Sequence, residues 1–337
     1  MFKAIETRPG ELRRVTTITH ERPLHEVKLA VMGEPLLVQT NDEALLAAAV
    51  DTFGRFPAPP ADREPLVIQV LVRGGARADE PAPAAHPRLR VHNQRHLVYL
   101  SVGEGNTAVA DIHAGFAFAM LDPVLAQDVS FVRHTFIESM PQILLGGRGY
   151  VAVHAACVVK NGVSLMLCAP AGTGKSTLAF TCLRHGYQIL AEDVVQVRAT
   201  PPMQLWGLPW KFHLLPDAVR FFPELAQREA YLQTNGEWKL ELELDVLYPG
   251  RAVTQAAAGR VIFLERNHDL PACLELLSAE EARARFEVIW SWDLPWPEAY
   301  EQQLETLLAQ GVYRLRMDGS PDDAVALLDE LVQTETT

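Results

Sequence analysis

The residues whose types and spacing could do chemistry are concentrated in VSLMLC-APAGTGKST-LAFTCLRHG, Val163 to Gly186. A run of strand composition leads into a loop of small residues, Ala169, Pro170, Ala171, Gly172, Thr173 and Gly174. The loop opens a helix at Lys175, Ser176 and Thr177, and Gly186 ends it. Such a loop suits a polyphosphate. Gly172 and Gly174 let backbone N–H groups turn inward, the helix start contributes about half a positive charge, Lys175 reaches the β- and γ-phosphates, and Ser176 offers an oxygen to Mg²⁺. The pattern GxxxxGK followed by Ser or Thr is met except at its first position, where Ala169 stands for glycine. ATP with Mg²⁺ is the expected ligand, held by residues 169 to 177.

Two neighbours turn a nucleotide site into a candidate for catalysis. His154 lies in the strand before the loop strand, and Glu192-Asp193 follows the apolar run YQIL after the loop helix, so both are expected at strand ends near the loop. Adjacent carboxylates there could hold Mg²⁺ or accept a proton from an attacking hydroxyl. A lone histidine in an apolar strand is ordinarily a satisfied core residue, and Glu-Asp is ordinarily a solvated strand end. Their joint placement around a phosphate loop favours function.

The segment from Gly149 to Val197 resembles the catalytic domain of HPr kinase/phosphorylase and its related kinases, with a histidine in VAVHAACVV, a loop APAGTGKST and an acidic pair in LAEDVV. The resemblance implies a phosphate-loop fold related to phosphoenolpyruvate carboxykinase, with ATP as donor and a serine hydroxyl as acceptor. It implies a general base within the acidic pair, Mg²⁺ on Ser176 and a carboxylate of Glu192 or Asp193, and phosphate-charge stabilisation by Lys175 and His154. The family pair is usually Asp-Asp, whereas this chain has Glu192-Asp193, which leaves open which acid is base and which is ligand. The downstream segment of the bifunctional enzymes is missing, so a kinase acting on a peptide or small protein is expected rather than a phosphorylase. A kinase for a small-molecule acceptor and a non-catalytic nucleotide-binding module are the alternatives. A mere binder needs the loop alone, which argues against the module.

These residues require elements to position them. Beyond Gly147, strands alternating with helices (YVAVHAACVV, VSLMLC, a helix, YQILAEDVVQV, and a final PEAYEQQLETLLAQ, VYRLRM and helix after Ser320) imply an α/β catalytic domain over 148–337 with a parallel sheet covered by helices. Before it, EVKLAVMGEPLLVQ reads as two strands around Gly33, then a helix from Asn41 to Phe53 capped by Asn41 or Asp42. PLVIQVLV, HLVYLSV and TAVADIH read as further strands of a smaller, mostly antiparallel α/β domain over 1–147. Its expected role is acceptor docking. A helix over Asp128–Leu145 is expected, kinked at Pro141 and stopped by Gly146-Gly147.

Weaker signals lie downstream. Trp206, Trp210, Lys211 and His213 fall in one loop-rich stretch, either as a cation-aromatic substrate clamp or as a hydrophobic plug. Lys239, Arg251 and Arg266 are candidates for reaching a transferring phosphoryl group. Trp290, Trp292 and Trp296 read as packing, a lid or a subunit interface, which leaves a homo-oligomer open. No histidine spacing suggests zinc.

Composition bounds the partners. The chain has 337 residues, 30 basic against 42 acidic, a net charge of −12, and no lysine-arginine strip, so nucleic acid is not expected. Hydrophobic residues make up 48% without the unbroken run of about eighteen that spans a bilayer, and the start is polar, so neither membrane anchor nor secretory signal is expected. Four cysteines without CxxC spacing read as reduced thiols of a cytoplasmic protein.

Overall fold

The computed structural model describes residues 22–60, 62–75, 86–198, 202–233, 236–266, 271–289, 297–317 and 320–336. β1 (His25–Val31) and β2 (Glu34–Thr40) form a hairpin. Its two turn residues, Met32 (φ 50°) and Gly33 (φ 83°), give the twist that matches flanking strands. α1 (Glu43–Phe53) is capped by Asp42, whose carboxylate accepts from the N–H groups of Ala44 and Leu45. β3 (Leu66–Val72), β4 (Leu89–Gln94), β5 (Leu97–Val102), β6 (Asn106–Asp111) and β7 (Phe116–Leu121) complete a sheet of order β1-β2-β3-β7-β6-β5-β4. Only β2–β3 and β3–β7 are parallel, so the sheet is mostly antiparallel, as expected.

The helix expected over Asp128–Leu145 is interrupted: α2 (Val129–Val132), a π-helical turn (Arg133–Glu138) and α3 (Ser139–Leu145). Pro141 has no N–H to offer the Ile137 carbonyl and its ring crowds that oxygen, and the π turn ends immediately upstream of α3. Phe131, Val132, Phe136 and Met140 still bury one face against the first sheet.

The second sheet corrects an expectation. β8 (Tyr150–Lys160) and β9 (Val163–Cys168) are antiparallel, because Asn161 (φ 52°) and Gly162 (φ 81°) make a two-residue hairpin turn that leaves no room for a crossover. After α4 (Lys175–Arg184) come β10 (Gln188–Ala191), β11 (Val194–Arg198), β12 (Gln204–Trp206), β13 (Lys211–Leu214), β14 (Ala230–Leu232), β15 (Trp238–Glu243), α5 (Leu244–Leu247), β16 (Gln255–Ala257), β17 (Arg260–Arg266), β18 (Cys273–Leu276), α6 (Ala279–Ile289), α7 (Pro297–Ala309), β19 (Val312–Met317) and α8 (Pro321–Thr336). The order is β16-β12-β11-β8-β9-β17-β19-β18, with β10 on β8, and only β9–β17 and β17–β19 are parallel. The molecule is α/β with a mixed sheet here rather than a parallel one.

Alternation along β8 feeds two cores. Ala156 and Val158 pack with α4, α8 and the three-stranded sheet β13-β15-β14, while Val153, Ala155 and Cys157 pack with α6 and α7. In the small sheet Phe212, Leu214, Leu240 and Leu242 are buried, which leaves Lys211, His213, Lys239 and Glu241 on the opposite face. No described helix is long and apolar enough to cross a membrane.

Candidate active site

β9 is buried to its last residue, Cys168, and delivers the chain into the loop with Ala169 still buried. Gly172 (φ 78°) and Gly174 (φ 114°) occupy the left-handed region where a side chain would be strained, so the two glycines are a backbone requirement. Ala169 is not in that region, so the pattern's missing first glycine costs no strain. Gly174 caps α4 without a side chain, and the cavity beside the helix start is lined by Gly172, Gly174, Lys175, Ser176 and Thr177. Ala171 also lines it. Pro170 and Thr173 shape the loop instead: Thr173 N–H donates to the Pro170 carbonyl, and the Thr173 carbonyl accepts from Arg266 Nε at 2.8 Å.

His154, on the α4 face of β8, joins the loop to the acidic pair. Lys175 Nζ lies 3.0 Å from His154 Nε2 and donates to the Ala169 carbonyl at 2.8 Å, while His154 Nδ1 lies 3.2 Å from Asp193. Burial, and then the Lys175 charge, hold His154 below its ordinary pKa against the pull of Asp193. A neutral ring with its proton on Nδ1 accepts from the ammonium at Nε2 and turns its N–H side, not a charge, toward Asp193. Burial likewise lowers Lys175. Two of its three donors are spent on protein, and the third is available to a ligand in the cavity it lines.

The two acids differ in surroundings. The β10–β8 register shifts between Ile189 and Ala191, so Leu190 and Ala191 both enter the core under α6 and α7. This bulge turns Glu192 toward α4, where it is 7% exposed and accepts from Ser176 Oγ at 2.5 Å. Asp193 remains 55% exposed on the cavity wall. Behind Glu192 stands a residue whose part the sequence did not reveal: His213 Nδ1 lies 3.3 Å from Glu192 and its Nε2 3.3 Å from Glu241. Burial opposes charge on His213, but bonding to Glu192 and Glu241 outweighs it and pushes the ring up to about 9. The same contact holds Glu192 below the carboxylate range despite its burial, and His213 with Lys211 brings Glu241 to about 2. The alternation in KFHL and WKLELE was the available signal for this polar face.

Of the three outlying cations, Lys239 and Arg266 line the cavity, joined by Arg220. Arg251 does not: its guanidinium donates to the Gly186 carbonyl at the far end of α4. The aromatic clamp is also corrected. Trp206 is buried in the first core and its ring lies 3.1 Å from where a Gly33 Cβ would stand, while Trp210 packs on the same core under Arg55. Both are plugs. Trp290, Trp292 and Trp296 lie outside the described residues.

Among the described residues no group of three or more His, Cys, Asp or Glu side chains could hold a metal alone. Ser176 Oγ, Glu192 Oε1 and the open Asp193 carboxylate are all oxygens. That donor set fits Mg²⁺, which keeps several waters and takes few protein ligands beside substrate phosphates.

No family model matches the chain, and no curated protein matches it. Among solved structures, the HPr(Ser) kinase/phosphatase from Coxiella burnetii is similar over 56% of this chain and 99% of its own, at 13% identity and a TM-score of 0.32. That likeness is too distant to assign a residue or a reaction.

Proposed function

We propose that the protein is an ATP-dependent phosphotransferase acting on a hydroxyl, a serine of a peptide or small protein, with residues 148–337 catalytic and residues 1–147 docking the acceptor. The observation that carries this reading is the chain Lys175–His154–Asp193 running along the wall of the loop cavity. A protein that only bound nucleotide would need the loop and the lysine, but not a histidine set between that lysine and an exposed carboxylate.

In this reading Lys175, Lys239 and Arg266 meet the phosphates, and an adjoining cleft that includes Leu178, Phe221 and Met317 receives the nucleoside. Ser176 and Glu192, with Asp193 nearby, are the residues that would hold Mg²⁺, which when bound offsets charge on the phosphates. Asp193 takes the proton of the acceptor hydroxyl as its oxygen bonds to the γ-phosphorus and the bond to the β-phosphate oxygen breaks, releasing ADP. His154, 3.2 Å from Asp193 and 3.0 Å from Lys175, spaces the base from the ammonium, and Lys175 stabilises charge on the transferring group.

The test is calorimetry with ATP and Mg²⁺ on wild type and Lys175→Ala, followed by transfer from γ-labelled ATP. Binding by wild type and a loss of about a hundredfold or more in the variant is expected, since a buried charge-assisted contact goes with the lysine. Equal binding in both, or none in wild type, refutes the reading.

A further inference from the structure

The polar face of the small sheet floors two clefts. In register, Lys211 and His213 on β13, Tyr231 on β14, and Lys239 and Glu241 on β15 share one face. Lys239 and His213 line the phosphate cavity, whereas Lys211, Tyr231 and Glu241 line a neighbouring cleft of about 550 Å³ whose far wall comes from Asp128–Glu138. His213 lines both, so a ligand lying in the outer cleft adjoins the phosphate loop across that one side chain.

The outer cleft has chemistry of its own. Its cations are already matched: Lys211 with Glu241 and Arg133 with Glu138, while His134 lies beside Glu138. Such balance offers no net field to an anionic metabolite, and Phe131, Tyr231 and Leu232 add apolar surface. The cleft also takes in a strand edge that has no partner among the described residues, since Tyr231 and Leu232 line it from opposite faces of β14. Gln233 N–H donates to the Glu237 carbonyl, so by antiparallel alternation Tyr231 bonds to Lys239 while the N–H and C=O of Ala230 and Leu232 point outward. Unpaired edge groups beside side-chain pockets are what an extended peptide uses to add a strand.

We propose that this cleft binds an extended, hydroxyl-bearing peptide segment, its backbone paired with Ala230 and Leu232 and its side chains between Tyr231 and the wall of Phe131 and His134. Its serine passes His213 to reach Asp193. The proposal rests on the phosphotransferase reading and deepens it by placing the acceptor, and it assigns the π-helical turn of the first domain to acceptor binding.

The test uses random-sequence, serine-containing short peptides carrying a photoreactive group, and the same library N-methylated at alternate backbone nitrogens. Adducts mapping to residues 128–138 and 230–233, and weakened about tenfold by N-methylation, by Ala230→Pro and by Tyr231→Ala, are expected from the loss of edge hydrogen bonds and ring contact. Proline at an outward-facing edge position costs no ladder bond, and Tyr231 is 56% exposed, so the second variant holds if the first misfolds. Adducts elsewhere, none at all, or equal labelling by the N-methylated library overturn the proposal. Label from γ-labelled ATP appearing on free serine or sugar alcohols but on no peptide overturns it as well. Failure of nucleotide binding, by contrast, overturns the phosphotransferase reading and leaves the crosslinking result to decide the cleft.

Discussion

His213 sits between two carboxylates inside the protein, and its removal should have a signature in pH. The ring rises from 6.5 in the unfolded chain to about 9 when folded. The native state therefore binds more protons than the unfolded state across that interval, and stability must fall as pH rises through it. The contribution is complete below about pH 6.5 and gone above about pH 9. Its size is about 3 kcal/mol, from 1.36 kcal/mol per unit. Because the ring is nearly buried, solvent screening takes little of this away. The assay is urea unfolding of wild type and His213→Gln in EDTA, followed by tryptophan fluorescence at several pH values across that interval. Wild type should lose about 3 kcal/mol between about pH 6.5 and 9, and the variant should lack that loss. The variant should also be weaker throughout the neutral range, since Glu192 and Glu241 would face each other with no charge between them. A flat wild-type profile, or the same slope in the variant, would refute the assignment of a charged His213.

Asp193→Asn should abolish transfer while leaving nucleotide affinity within about tenfold, because in the proposed mechanism the carboxylate acts on the proton of the acceptor. Stability should be unchanged, since Asp193 is half exposed. Glu192→Gln should instead lower stability by about 3 kcal/mol, as it leaves the His213 charge half-paired in the core; chemical denaturation beside a transfer assay separates the two, and the opposite pattern would exchange their roles. Gly207→Ala would put a Cβ 2.0 Å from the Leu190 carbonyl oxygen, at the bulge that aims Glu192, with no flexible side chain to yield. A loss of about 3 kcal/mol or more, together with loss of transfer, is expected from thermal unfolding and a labelling assay.

What the sequence disclosed followed the range of the interactions involved. The loop, its two glycines, Lys175 and Ser176 are chain neighbours, and strand, loop and helix are specified by that one stretch. His154 and Glu192-Asp193 were legible because each lies one element away. The antiparallel pairing of β8 and β9 was also written locally, in Asn161-Gly162, and the alternating strand-helix pattern masked it. The chain Glu192–His213–Glu241 was not legible, because His213 meets partners 21 and 28 positions away, one at the end of β10 and one across the small sheet. For the same reason no local pattern could separate Arg266, which reaches the Thr173 carbonyl, from Arg251, which reaches that of Gly186.

The net charge of −12 and the proposed polyphosphate site are compatible because they act over different distances. Salt screens exposed charges beyond about 8–10 Å, so a ligand in the cavity meets the local set rather than the whole chain. That set holds Lys175, Lys239, Arg220 and Arg266 on its wall. Lys239 lies 3.5 Å from Glu237 and Arg220 3.8 Å from Asp217, loose pairings at a partly open surface and worth about 1 kcal/mol or less each. Phosphate oxygens, by contrast, offer each guanidinium a charge-assisted, bidentate contact. The acids thus hold the cations in place at little cost to the exchange. The buried acid, Glu192, is neutralised from behind by His213 and so adds little repulsion toward the phosphates its neighbour Ser176 faces. An acidic protein therefore presents a cavity whose wall sets four cations against Asp193, Asp217 and Glu237, and in the phosphotransferase reading proposed above Asp193 is the one of these acids that takes a proton.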